Sequence, residues 1–296
     1  MSRVYDALRK LEEQGRESAE NSSKTVIAPS KSFDQLLAAP VLQARVGPGS
    51  RLVVFSDRRS PGAERFRLLR MGLRNLNLGK ALKVLLITSP LPKDGKSTMA
   101  LNLATSLAEE GRVKVLLLEA DLHRPSLAEH LGLGPLCGLT EVLRGSAESA
   151  AAVRRIEPLG FYLLPAGRHD EHPTELLQSD QFNILLKECR ACFDCVLIDC
   201  PPAFPLADVT ALKAHTDGAL LVARAGSTPR EAVQETIQLF KPGSVVGLIL
   251  NAADEVDKLY ANYYYHYGSP SSSDRFHQGG DGEPSSAKGS HFGRNR

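Results

Sequence analysis

The sequence lacks any long hydrophobic run: no apolar stretch approaches the roughly 18 residues that a membrane-spanning helix needs. No secretory leader is expected, because the N-terminus MSRVYDALRKLEEQG is of mixed charge with no apolar centre. It lacks an excess of charge, since 36 Lys+Arg face 34 Asp+Glu and leave +2. So even a balance gives nucleic acid no electrostatic claim as the main partner. It has few cysteines, and five in 296 residues make neither a disulfide framework nor an even set. These absences predict a cytoplasmic chain in a reducing compartment. Hydrophobic residues at 42% and charged residues at 24% exclude wholesale disorder.

What is present is an alternation. Apolar runs at 84–88, 113–118, 161–164, 195–198, 219–223 and 245–250 read as strands, with a further short run at 52–55. Helical stretches are expected at 64–77, 97–110, 174–189, 206–215 and 230–240. Continuous apolar strands between helices are buried on both faces. The fold class is therefore α/β: a three-layer sandwich whose mostly parallel central sheet carries helices on both faces. Residues 1–50 are expected to be a short amphipathic helix over 2–14 and a linker, and 51–254 the folded domain. Residues 255–267 hold a tyrosine cluster. Residues 268–296, with six Gly, seven Ser and two Pro, are expected to be disordered.

The stretch TSPLPKDGKST at 88–98 lies between an expected strand and an expected helix. In that setting backbone N–H groups cradle phosphate, the lysine reaches the β/γ-phosphates, and the hydroxyl ligates Mg²⁺. Pro92, Lys93, Asp94, Gly95, Lys96, Ser97 and Thr98 are thus candidate nucleotide contacts, and ATP with Mg²⁺ the expected cofactors. Pro90 stands where the first glycine of such loops is usual. Two further strand ends carry acids: Glu119 and Asp121 in LLLEADLHRP, and Asp199 in VLIDCPP. Open α/β sheets place their ligands at this edge.

The order of these segments resembles the MinD/ParA-type deviant-Walker ATPases, and within them the bacterial tyrosine kinases of capsule and exopolysaccharide synthesis. Leu91 occupies the place of the signature lysine of MinD-type loops. Ser89, Pro92, Gly95, Lys96 and Ser97 match the kinase loop, and Glu64, Arg67 and Arg70 its ExxRxxR assembly helix. The segments GLTEVLRG at 138–145, LPAG at 164–167 and PTELL at 173–177 occur in the kinase order. Two positions depart from the pattern: Glu119 replaces the usual Asp, and Lys93 a common Gly.

The resemblance implies roles. Lys96 would hold the β/γ-phosphates, and Ser97, Asp199 and Asp121 the metal. Asp121 or Glu119 would orient or deprotonate the attacking tyrosine, and Asn251 would read adenine. The acceptors would be Tyr260, Tyr263, Tyr264, Tyr265 and Tyr267, five of the seven tyrosines. Three consecutive tyrosines cannot all face a core, because side chains of an extended chain alternate. Glu64, Arg67 and Arg70 would join subunits of a homo-oligomer, which would reach the membrane through a separate polysaccharide chain-length adaptor. Two other readings stay open: a MinD/ParA-like regulatory ATPase without kinase activity, and an assembly module that has lost transfer.

Cys189, Cys192, Cys195 and Cys200 have the spacing C-x2-C-x2-C-x4-C, which invites an iron–sulfur or zinc reading. A helix end, a strand start and a strand end do not bring four sulfurs together, so no metal cluster is expected.

Overall fold

A computed structural model describes residues 36–47, 49–77, 82–204 and 207–253. The expected N-terminal helix, the tyrosine cluster and the Gly/Ser-rich tail lie outside the described residues.

Eight strands form one sheet: β1 (Val41–Gln43), β2 (Val84–Thr88), β3 (Val115–Glu119), β4 (Arg154–Glu157), β5 (Phe161–Leu164), β6 (Cys195–Asp199), β7 (Gly218–Arg224) and β8 (Val245–Asn251). Their order is β1-β4-β5-β3-β6-β2-β7-β8. Every neighbouring pair is parallel except β4–β5. Strands β2, β3, β5 and β6 are buried along their whole length, as their unbroken apolar runs require.

Alternation of side chains divides the core into two layers. Val84, Leu86, Leu116, Leu118, Val196 and Ile198 face a layer closed by Phe182, Leu185 and Leu186. Leu85, Ile87, Leu117 and Leu197 face the other layer, closed by Leu101, Ala104 and Leu107 of the helix Lys96–Ala108. The four spaced cysteines are split by the same alternation. Cys189, Cys192 and Cys200 join the first layer, while Cys195 points into the second. The sheet thus stands between their sulfurs.

The structure differs from expectation at four places. Residues 41–43, inside the expected linker, form the edge strand β1, because Val41 to Gln43 pair in register with Arg155 to Glu157. Strand β4 has only Ile156 buried, so its sequence carries no apolar run. Residues 53–56 form a helical turn instead of a strand. The stretch 174–189 splits into Pro173–Leu177 and Asp180–Cys192, because the Ser179 hydroxyl accepts from the Phe182 N–H at 3.3 Å and starts a new helix.

Candidate functional site

The loop after β2 and the helix Lys96–Ala108 meet at Gly95, whose φ of +101° suits a residue without Cβ. Lys93 adopts φ +69° without being glycine. Two distant groups brace the loop. The buried Asp94 carboxylate accepts from the Leu91 N–H at 3.0 Å and from the Thr228 hydroxyl at 2.7 Å. Asn251 Nδ2 donates to the Asp94 carbonyl at 2.8 Å.

Lys96 lies at the centre. Its Nζ is 2.7 Å from Asp121 Oδ2 and 3.3 Å from Ser97 Oγ. Burial alone would lower its pKa, but the charges of Asp199 and Asp121 outweigh burial and hold it above the ordinary lysine value. Asp121 Oδ1 accepts from the Arg124 N–H at 3.0 Å, which fixes the turn after β3.

Asp199 is fully buried, and neither carboxylate oxygen has a hydrogen-bond partner. Burial pushes its pKa up to about 7, against the pull of the Lys96 charge and of the Ser97 hydroxyl. A buried carboxylate left without donors is costly unless a cation completes it. Its two open oxygens, beside Lys96 and near the Ser97 hydroxyl, form the hard oxygen donor set that Mg²⁺ prefers. The residues present therefore fit magnesium.

These groups border a cleft of about 900 Å³ that includes Lys93, Lys96, Ser97, Thr98, Asp121 and His123. Pro92, Asp94 and Gly95 line it as well. Sequence reasoning missed several contributors. His123 Nε2 lies 2.9 Å from Asp208 Oδ2, and Thr174 donates to Asp208 Oδ1 at 2.6 Å. Arg51 and Arg224 enter the cleft from the segment before the first long helix and from the end of β7. His123 is two residues beyond Asp121, and that position was its only signal in the sequence.

Two expected roles do not match the geometry. Glu119 Oε1 accepts from the Ser126 and Leu127 N–H groups at 2.6 and 2.7 Å, and Oε2 from Ala166 at 3.1 Å. Glu119 is buried and is spent on backbone, where its extra methylene serves as reach; it is a clasp and not a base. Burial raises its pKa, and the three amide bonds oppose that shift. Removing it orphans three N–H groups, at about 1 kcal/mol or more each. Glu119→Ala is expected to cost about 3 kcal/mol in urea melts, with activity per folded molecule reduced less than tenfold. A thousandfold loss in folded protein would restore its role as a base. Asn251, expected at adenine, has both ends of its amide occupied: Nδ2 by Asp94, and Oδ1 by the Ala252 N–H at 2.8 Å.

Glu64, Arg67 and Arg70 share one face of the helix Pro61–Asn77, as expected, but they pair within the chain. Arg67 meets Glu64 at 2.9 Å and Glu109 at 3.4 Å. Arg70 is buried, donates to the Ser106 carbonyl at 2.6 Å and meets Glu109 at 3.3 Å.

The family described as "AAA domain" matches residues 93–241. Over 214 residues the chain is 32% identical to tyrosine-protein kinase YwqD of Bacillus subtilis, a match covering 70% of this chain and 90% of that protein. The chain belongs to the bacterial tyrosine-kinase family. The kinase domain of Escherichia coli tyrosine kinase ETK superposes with a TM-score of 0.65 at 28% identity, covering 68% of this chain and 79% of that one. The succinoglycan biosynthesis transport protein ExoP of Rhizobium meliloti is 34% identical over 210 residues, which cover 69% of this chain but 26% of ExoP. The chain thus spans 90% of YwqD and 26% of ExoP. Membership fits the site, since the loop, the acid after β3 and the acid ending β6 all stand at one edge of the kinase-type sheet.

Proposed function

We propose that the chain is an ATP-dependent protein-tyrosine autokinase, regulating exopolysaccharide or capsule synthesis or export. The observation that carries this is the Lys96–Asp121 pair beside an unpartnered, buried Asp199 at the phosphate loop of a bacterial tyrosine-kinase scaffold. Phosphoryl transfer asks a protein for positioning and neutralisation of charge. Lys96 binds the β/γ-phosphates as they draw it from Asp121. Asp121, so released, orients the tyrosine hydroxyl and accepts its proton; free tyrosine, with a pKa of about 10, needs such a base near neutral pH. Ser97 and Asp199 would hold magnesium, which would supply charge neutralisation at the phosphates. Asn251 keeps the loop in shape for this binding. Leu91, whose amide is tied to Asp94, offers no MinD-type lysine.

The acceptors are Tyr260, Tyr263, Tyr264, Tyr265 and Tyr267 of a neighbouring copy. Labelled ATP followed by phospho-amino-acid analysis tests the reaction, and ATP hydrolysis without phosphotyrosine would refute it. Mass spectrometry is expected to map phosphate to these five residues, and truncation after Asp254 to remove most of it. Phosphate mainly on Tyr5 or Tyr162 would exclude the tail as acceptor.

The chain assembles as a homo-oligomer through Glu64, Arg67 and Arg70 and is recruited to the inner membrane face by a chain-length adaptor. No described helix is long and apolar enough to cross a membrane. Because Arg70 also holds its own helix pair together, Glu64→Ala is the cleaner test. Light scattering is expected to give a lower mass for that variant, and an unchanged mass counts against this interface.

A further inference from the structure

The cleft is lined by cations on both sides of the phosphate loop. Arg51, Lys93, Arg124 and Arg224 line it, and no ion pair is formed by any of them among the described residues. Several arginines elsewhere are matched: Arg67 and Arg70 with Glu109, Arg144 with Asp170, Arg190 with Asp217. The cleft's own carboxylates neutralise none of the four. Asp94 is occupied by Leu91 and Thr228, and Asp121 by Lys96 and the Arg124 backbone.

Strand order separates these cations. Arg224 ends β7, on the β8 side of the phosphate loop, while Arg124 follows β3, two strands away on the other side. Arg51 lies with Arg124's side. Its carbonyl accepts from Asn102 Nδ2 at 2.9 Å, and the Val54 N–H donates to Asn102 Oδ1 at 3.1 Å. Asn102 is fully buried in the phosphate-loop helix, so the segment that carries Arg51 is clamped to the site. A second hollow, of about 280 Å³, continues the cleft there and shares Arg51, Thr98 and His130 with it.

We infer that Arg51, Arg124 and His130 form an acceptor subsite that selects tyrosines flanked by carboxylates. The inference rests on the kinase reading and adds its substrate preference. Guanidinium groups pair carboxylates in a planar, two-point fashion, and an unpaired arginine at a concave site is matched by an acidic ligand. This chain carries such a segment: Asp254, Glu255 and Asp257 stand just ahead of Tyr260. A second copy's segment 254–267 is the occupant.

The test uses the full chain and two peptides: residues 254–267, and the same peptide with Asp254→Asn, Glu255→Gln and Asp257→Asn. The wild type is expected to show a KM at least tenfold lower for the acidic peptide, with similar kcat. In the double variant Arg51→Ala/Arg124→Ala the preference is expected to fall below twofold, through KM for the acidic peptide. Arg168→Ala, an exposed arginine outside the cleft, is the control and is expected to keep the preference. A wild type that treats both peptides alike overturns the inference. So does a double variant in which KM for ATP rises and the peptide preference stays. If neither peptide is phosphorylated, the kinase reading fails by itself. Fluorescence anisotropy of the labelled peptides on the ADP-loaded protein then decides the subsite. Tighter binding of the acidic peptide that depends on Arg51 and Arg124 supports it, and equal binding overturns it.

Discussion

Asp199→Asn is expected to stabilise the metal-free protein and, in the same molecule, to abolish phosphotyrosine formation. The carboxylate is fully buried and both oxygens are unpartnered, with a pKa pushed up to about 7 from 3.8. A folded-state value above the unfolded one means that ionisation opposes folding. The cost is complete above pH 7 and fades as pH falls from 7 towards 4. The shift corresponds to roughly 4 kcal/mol as a ceiling. Lys96 loses part of its compensation in the amide variant, so a gain of about 2 kcal/mol is expected. For a domain of this size that raises Tm by about 4–8 °C. Urea melts without magnesium should show the gain at pH 7.5 and most of it gone at pH 5. Activity should fall at least about a thousandfold, because an amide cannot neutralise or hold a cation as a carboxylate does. A variant no more stable than the wild type at pH 7.5 would mean that Asp199 has a partner in solution.

Lys96→Ala is expected to remove at least about a thousandfold of activity by deleting the charge on the β/γ-phosphates. It also breaks a buried pair. Nζ lies 2.7 Å from Asp121 and its charge faces Asp199, so both acids lose their counter-charge. Losing one member of a buried pair costs about 3 kcal/mol at neutral pH. The loss is expected to shrink at pH 5, where Asp199 is protonated. Circular dichroism and urea melts at both pH values separate the two effects. Full activity in folded Lys96→Ala protein would end the kinase reading, and unchanged stability would mean that the Lys96–Asp121 pair is not formed in solution.

The phosphate loop was legible because its chemistry is local. Backbone amides, lysine and hydroxyl act from consecutive residues, and the strand before them and helix after them each announce themselves by apolar period. The strand-end acids Asp121 and Asp199 were legible for the same reason, since a buried parallel strand is a plain apolar run and the residues at or just past its end face the ligand edge. Strand β4 was invisible because one buried residue in four makes no pattern.

The roles of Glu119, Asn251 and Arg51 were decided elsewhere. Glu119 is fixed by the amides of Ser126, Leu127 and Ala166, the last 47 positions away. Asn251 is fixed by a carbonyl 157 positions back in the chain, and Arg51 by a carbonyl bond to Asn102 across 51 positions. A residue's type and neighbours state what it can donate or accept, and by that measure Glu119 could be base or clasp and Asn251 could read a ring or hold a loop. Which of these it does depends on the unpaired group that the fold sets within about 3 Å of it. The sequence by itself therefore determined six of the sheet's eight strands, the phosphate loop and the acids at its edge. Only the tertiary structure decided which polar side chains are spent holding that edge in shape, because those bonds close between segments that no local period links.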